Sequence, residues 1–192
     1  MKEIISIFKK SAEIKLKFAE ENAAKIERVV GVIVNALHEG GKILLFGNGG
    51  SAADAQHIAA EFVNRYLLDR EPFAALALTT DTSILTSISN DINFEEIFSR
   101  QIAALGKKND IAWGITTSGN SRNMIRAFEV SVELGLTTIG FTGKDGGTVA
   151  SLADYNFNVD ADSTPRIQET HITLAHVFCE LVEKRMHTGW KK

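Results

Sequence analysis

The chain has 192 residues, 44% of them hydrophobic and 23% charged, with a formal net charge of −3. That balance is ordinary for a globular protein and excludes collagen-like and disordered classes. The length suits one well-packed domain, 1–192, better than two. Apolar runs extend over a handful of residues, far short of the roughly 20 needed to cross a bilayer. Charged residues recur every few positions after Met1-Lys2-Glu3, so the N-terminus does not read as a secretory signal. Cys179 is the one cysteine and has no partner within the chain for a disulfide. The mild negative charge argues against a nucleic-acid surface. A cytoplasmic protein that engages neither membrane nor nucleic acid is expected.

Residues 1–39 read as a helical extension. Ile26, Val29, Val30, Ile33 and Leu37 repeat at the spacing of one helical face. Ile4, Phe8 and Leu16 give an earlier segment a looser stripe, so two helices are expected here. Gly40-Gly41 ends the second, as glycine past a helix C-terminus does. Over residues 40–192, short apolar runs then alternate with segments of helical spacing. The runs are 43–46, 74–78, 111–115, 137–141 and, more weakly, 155–159. The helical segments lie near 51–65, 93–105, 121–134 and 165–187. Continuous apolar strands separated by helices predict an α/β fold: a doubly wound, parallel five-stranded sheet flanked by helices. The extra N-terminal helices would wrap that sheet or pack on another subunit.

Open α/β sheets bind ligands beyond the carboxyl ends of their strands, where loops enter helix N-termini. Two loops of suitable composition stand at such places. Gly47-Asn48-Gly49-Gly50-Ser51 follows the 43–46 run, and Ser51 is placed to cap the next helix. It matches neither the dinucleotide fingerprint nor a P-loop, and reads as a ligand loop or as a plain glycine-rich turn. Thr116-Thr117-Ser118-Gly119-Asn120-Ser121 follows the 111–115 run. Its four hydroxyls and free N–H groups ahead of a helix would cradle a phosphate without Lys or Arg, or would simply decorate a helix cap. Lacking a P-loop lysine, such a cradle suits a sugar phosphate better than a nucleoside triphosphate.

Titratable residues gather nearby. His57 and Glu61, four apart on the helix after Ser51, share a face and offer a nitrogen and a carboxylate oxygen to a metal or substrate. The bland alternative is a surface pair. Arg166, Gln168, Glu169, His171 and His176 interrupt the apolar run of the last helix. Among Leu174, Ala175, Val177 and Phe178, His176 reads as partly buried, a core histidine or a proton carrier. Gln168 and His176 stand two turns apart, about 12 Å along the axis. They would share one metal only by reaching inward from both sides or from different subunits. Asp81 and Asp91 each read as caps of a following helix. Lys144-Asp145-Gly146-Gly147 reads as a turn without chemistry.

Several segments together resemble the phosphoheptose isomerases, enzymes built on the sugar isomerase (SIS) domain. They are Gly47-Asn48-Gly49-Gly50-Ser51-Ala52-Ala53-Asp54-Ala55-Gln56-His57, Thr117-Ser118-Gly119-Asn120-Ser121, Thr142-Gly143-Lys144-Asp145-Gly146-Gly147 and Arg166-Ile167-Gln168-Glu169-Thr170-His171. The resemblance covers nearly the whole chain. It implies a flavodoxin-like SIS fold and conversion of sedoheptulose 7-phosphate to D-glycero-D-manno-heptose 7-phosphate, the first step of ADP/GDP-heptose biosynthesis. Lipopolysaccharide core is that pathway's usual destination.

The same resemblance implies roles. Ser51, Thr116, Thr117, Ser118 and Ser121 would hold the phosphate. Glu61 would be the general base and His176 its acid/base partner. Zn2+, one per subunit, would be bound by His57, Glu61, Gln168 and His176. Asn48, Gly49, Gly50, Arg65, Asp91 and Gln168 would line the site of a cytoplasmic homotetramer. Pro165 departs from relatives that carry an aspartate there. Two alternatives differ in class: a non-catalytic SIS scaffold that binds the replication initiator, and another sugar-phosphate isomerase. The scaffold relative lacks the counterparts of Glu61 and His176, which favours the enzyme.

Overall fold

The computed structural model describes residues 1–187. Helix α1 (Lys2–His38) precedes β1 (Ile43–Gly47), α2 (Gly50–Val63), β2 (Ala75–Ala77) and α3 (Thr82–Asp91). A single 3-10 turn, Phe94–Glu96, leads into α4 (Ser99–Leu105). There follow β3 (Ile111–Ile115), α5 (Arg122–Glu133), β4 (Thr137–Gly143), α6 (Gly147–Leu152), β5 (Tyr155–Val159) and α7 (Thr164–His187). All five strands are parallel, in the order β2-β1-β3-β4-β5. Among the described residues no helix is long and apolar enough to cross a membrane.

Alternation along the strands divides the core between two faces. Ile43 and Leu45 of β1, with Ile111, Trp113 and Ile115 of β3, pack beneath α1, α2 and α7. Leu44, Phe46 and Ala112 point the other way, against Ile102 of α4 and Met124 and Phe128 of α5. Because both faces are covered, the strands read as unbroken apolar runs. The doubly wound expectation holds.

Three expectations need correction. The N-terminal extension is one helix, not two: residues 2–30 contain neither Gly nor Pro to break it. Its early stripe is loose because that half leaves the core, with Ile4, Phe8 and Leu16 exposed, whereas Ile26, Val29, Val30 and Ile33 are buried. The 93–105 segment is the 3-10 turn plus the short α4. Helices α3 and α6 went unread. No residue of α3 is buried, and Val149 is the buried residue of α6, so apolar spacing carried no signal for either. Asp81 does cap α3, its Oδ1 accepting from the Ile84 N–H at 2.9 Å. Asp91 is the last residue of α3 and opens no helix.

His171 of α7 is buried against Phe141. Its Nε2 donates to the Thr142 carbonyl at 2.8 Å, while Nδ1 has no partner among the described residues. Burial pulls its pKa down from 6.5 to about 4, with the Thr142 bond opposing. The unfolded chain therefore takes up a proton that the folded chain refuses. Stability from this group is full above about pH 6.5 and falls as pH drops toward 4. The wild type should lose about 3 kcal/mol between pH 7 and pH 4 that His171→Gln does not lose, measured by urea unfolding.

Candidate active site

The strand order reverses between β1 and β3, and both candidate loops leave the sheet there. After β1 the chain turns through Gly49, whose φ of 57° is the left-handed region that glycine enters without steric cost. That turn lets α2 begin at Gly50, so Gly49, and not Ser51, is its N-cap. Ser51 is buried in the first turn, its N–H donating to the Asn48 carbonyl at 3.0 Å. Across the reversal, Asn48 and Asn123 exchange a reciprocal pair of carboxamide bonds of 2.9 and 2.8 Å. The glycine loop and the start of α5 are thereby fixed to each other.

The hydroxyl loop is held from behind. Thr116 is buried and its Oγ1 accepts from the Gly119 N–H at 3.2 Å. Gly119 has φ 65°, and a Cβ there would lie 1.9 Å from the Gly146 carbonyl oxygen. Asn120 reaches across to α6, its Oδ1 accepting from the Thr148 N–H at 3.0 Å and from the Thr148 hydroxyl at 3.2 Å. The 144–147 turn therefore has a role that its composition did not reveal: it is the floor on which the hydroxyl loop rests. Thr117, Ser118 and Ser121 are half-buried around that loop. Ser121 stands at the N-cap of α5 without a side-chain capping bond.

The candidate catalytic groups come from α2 and α7. His57 Nε2 lies 3.4 Å from Glu61 Oε1 and 3.0 Å from His176 Nε2. The two imidazole rings meet edge to face at 5.2 Å. Tyr66, in the loop after α2, stacks on the His176 ring at 5.6 Å and 28°. A carboxylate and two imidazoles thus converge within one chain. Gln168 stands one step along, its Nε2 so close to Gly50 that a Cβ there would come within 2.9 Å. Gly50, Asp54, Gln168, Glu169 and Ile172 line a cavity of about 210 Å3 between the two helices.

Asp54 was not singled out in the sequence, yet it sits one turn before His57 and two before Glu61, on the same face of α2. Burial pushes its carboxyl above the usual range, and the nearby His57 and His176 pull it part of the way back. Burial raises the Tyr66 hydroxyl as well, helped by Cys179, Glu180, Glu61 and Glu183. Cys179, buried beneath the site, is pushed by burial up to about 12, so it stays a thiol. Tyr66 and Asn123 carried no sequence signal, because each depends on a loop meeting a distant helix. Arg65 and Asp91 are exposed. Asp91 accepts from the Asn90 side chain at 2.8 Å.

Donor chemistry suits zinc in part. Ligand atoms on a zinc tetrahedron with bonds of 2.0–2.1 Å stand about 3.3 Å apart. The separations of 3.0 and 3.4 Å around His57 Nε2 bracket that spacing. Among the described residues, however, no three His, Cys, Asp or Glu side chains form a ready-made metal group.

Asn123 is 2% exposed. Asn123→Ala leaves the Asn48 carboxamide facing an apolar gap and should lower unfolding free energy by about 1–3 kcal/mol in urea titrations.

The chain was compared with known proteins. The SIS domain family matches residues 7–143. The phosphoheptose isomerase of Aquifex aeolicus is 58% identical over 184 residues, covering 96% of each chain. That of Thermodesulfovibrio yellowstonii is 53% identical, covering 92% of this chain and 88% of the relative. Among solved structures, the phosphoheptose isomerase of Neisseria gonorrhoeae is 40% identical and superposes with a TM-score of 0.90, covering 95% of this chain and 98% of that one. The chain belongs to the SIS domain family and, within it, to the phosphoheptose isomerases.

Proposed function

We propose that the chain interconverts sedoheptulose 7-phosphate and D-glycero-D-manno-heptose 7-phosphate, feeding ADP/GDP-heptose biosynthesis. The observation that carries the mechanism is the meeting of Glu61, His57 and His176 at 3.4 and 3.0 Å. A ketose-to-aldose conversion moves one proton between neighbouring carbons and another between their oxygens. Glu61 takes the proton from the terminal hydroxymethyl carbon and returns it to the former carbonyl carbon. His176 gives a proton to the carbonyl oxygen and accepts one from the neighbouring hydroxyl. The intermediate between these exchanges is an enediol, and no atom is gained or lost.

The phosphate anchors the sugar at the other end. Ser51, Thr116, Thr117, Ser118 and Ser121 supply hydroxyls, and the loop backbones supply N–H groups. Asn48, Gly49, Gly50, Arg65, Asp91 and Gln168 line the remainder. Binding energy from that remote phosphate holds the reacting carbons against Glu61 and His176. His57, Glu61, Gln168 and His176 are the residues that would hold Zn2+, which when bound would stabilise negative charge on the substrate oxygens. A homotetramer fits the N-terminal half of α1, where Ile4, Phe8 and Leu16 are 58%, 71% and 64% exposed. Apolar side chains grouped on one helix in this way are suited to burial by further copies of the chain.

Two measurements test this reading. Glu61→Gln preserves the side-chain shape but not the base, so kcat with sedoheptulose 7-phosphate should fall about 10²–10⁴-fold while the melting temperature stays near wild type. An unchanged kcat would remove Glu61 from the chemistry. Dialysis against a chelator should abolish turnover and added Zn2+ should restore it. Full activity in metal-stripped protein would remove the ion.

A further inference from the structure

Glu183 lies on α7 seven residues beyond His176, about 10 Å along the axis. Its side chain is 1% exposed. A carboxylate is costly to bury unless every lone pair finds a donor. Here the donors all belong to the segment after α2. The consecutive N–H groups of Tyr66, Leu67 and Leu68 donate to it at 2.9, 2.7 and 2.9 Å, and Arg70 Nε donates at 2.9 Å. Burial opposes the charged form, but these donors outweigh it and hold the carboxyl below its usual range.

Arg70 extends the contact to α2. Its guanidinium donates to the carbonyls of Glu61 at 2.8 Å and Phe62 at 2.9 Å, groups left without helical partners at the end of that helix. It also rests on the Phe73 ring at 3.8 Å. One buried ion pair therefore joins the helix bearing His176, the helix bearing Glu61 and the loop bearing Tyr66. Three successive amides on one carboxylate also set the register of that loop, since a slip of one residue would break the set.

We propose that Glu183 is a positioning residue for isomerisation: by anchoring the 66–68 amides it presses Tyr66 onto the His176 ring, and through Arg70 it holds the end of α2 beneath Glu61. An apolar residue at 183 would pack α7 without reaching any of these groups. The phosphate loops lie at the opposite end of α2, so substrate binding should be spared. This inference rests on the reading of His176 as a proton carrier.

The test is steady-state kinetics with sedoheptulose 7-phosphate on Glu183→Gln, Tyr66→Leu, the double variant and His176→Asn. Displacing a catalytic group by about 1 Å costs up to about 10²-fold, so each of the first two should lower kcat about 10- to 100-fold with KM within about twofold of wild type. Because Glu183 holds Tyr66 in place, the loss in Tyr66→Leu is contained in that of Glu183→Gln, and the double variant should be no slower than the slower single. Multiplying losses, an unchanged kcat, or a rise in KM alone would overturn the proposal. Should Glu183→Gln fail to fold, Arg70→Lys takes its place, since it loosens the same carboxylate while keeping the charge. Wild-type turnover in His176→Asn would instead overturn the reading of the site. If that variant is inactive while the other two keep full kcat, the positioning role alone fails.

Discussion

A single topological constraint organises the molecule: β1 and β3 lie side by side, yet their chains leave for opposite faces of the sheet. Parallel crossovers are right-handed, so α2 must return over one face and α5 over the other. The loops that start these helices consequently splay apart, and a crevice opens between them at the carboxyl edge. Nothing in that argument depends on the chemistry of the crevice. What the residues add is a means of holding its two lips at a defined separation, through the paired carboxamides of Asn48 and Asn123. Both loops also approach backbone so closely that a methyl group would collide, at Gly47 with the Ser51 and Ile115 carbonyls and at Gly119 with Gly146.

The second consequence concerns α2 and α7, which lie on the same face and share its core. Helical spacing aligns Asp54, His57 and Glu61 along one edge of α2, facing α7. Helix α7 answers with Gln168 and His176, two turns apart, so one reaches the start of α2 and the other its middle. If both are to hold one ion, the two turns between Gln168 and His176 must be spanned by side chains reaching inward along this seam. The two residues serve successive stretches of it, with the cavity at Asp54 at its Gln168 end. Burial of a carboxylate in this seam is offset in part by attraction, since His57 and His176 lower the Asp54 pKa that burial raises. His57 Nε2 and His176 Nε2, 3.0 Å apart, are within hydrogen-bond distance.

What could be read in advance follows from where each interaction lies along the chain. Strands β1, β3 and β4 are legible because both faces are buried and their runs are short and apolar, β2 lies within the 74–78 run, and β5 reads more weakly because Asn156 and Asn158 interrupt it. The pairing of His57 with Glu61 was visible because four residues on a helix bring side chains together without help from the fold. The glycine and hydroxyl loops were visible because their composition is unusual. Helix α3 was invisible, since it buries nothing and its Thr, Ser and Ile residues favour no helix. Tyr66, Asn123 and Glu183 were invisible for a different reason. Each acts on a residue 75 to 117 positions away, and no local spacing encodes such a meeting. Ser51 illustrates the intermediate case: the loop's composition marks the start of a helix, with the cap displaced from Ser51 to Gly49 by a backbone turn only glycine makes readily.

A contrast between the two edges of the sheet bears on why the carboxyl edge receives an anion. At the amino edge the ties are carboxylates. Asp110 accepts from the Lys42 and Lys107 N–H groups at 2.9 and 2.8 Å, and Asp154 accepts from the Thr138 N–H and hydroxyl at 2.8 and 2.9 Å. At the carboxyl edge three of the ties are neutral carboxamides. Asn48 pairs with Asn123, Asn120 holds α6, and Asn158 donates to the Lys144 carbonyl at 2.9 Å. A carboxylate could do the accepting work of Asn120, and more strongly, but could not donate as Asn48, Asn123 and Asn158 do. Placed about 6 Å from a bound phosphate, though, it would oppose each negative charge by about 3 kcal/mol at an effective dielectric of 20. Carboxamides fasten the loops without that repulsion. Among the described residues, the deeply buried carboxylate near His176, Glu183, is paired with Arg70 at 2.9 Å. The carboxamide ties thus hold the lips of the crevice while adding no charge to it.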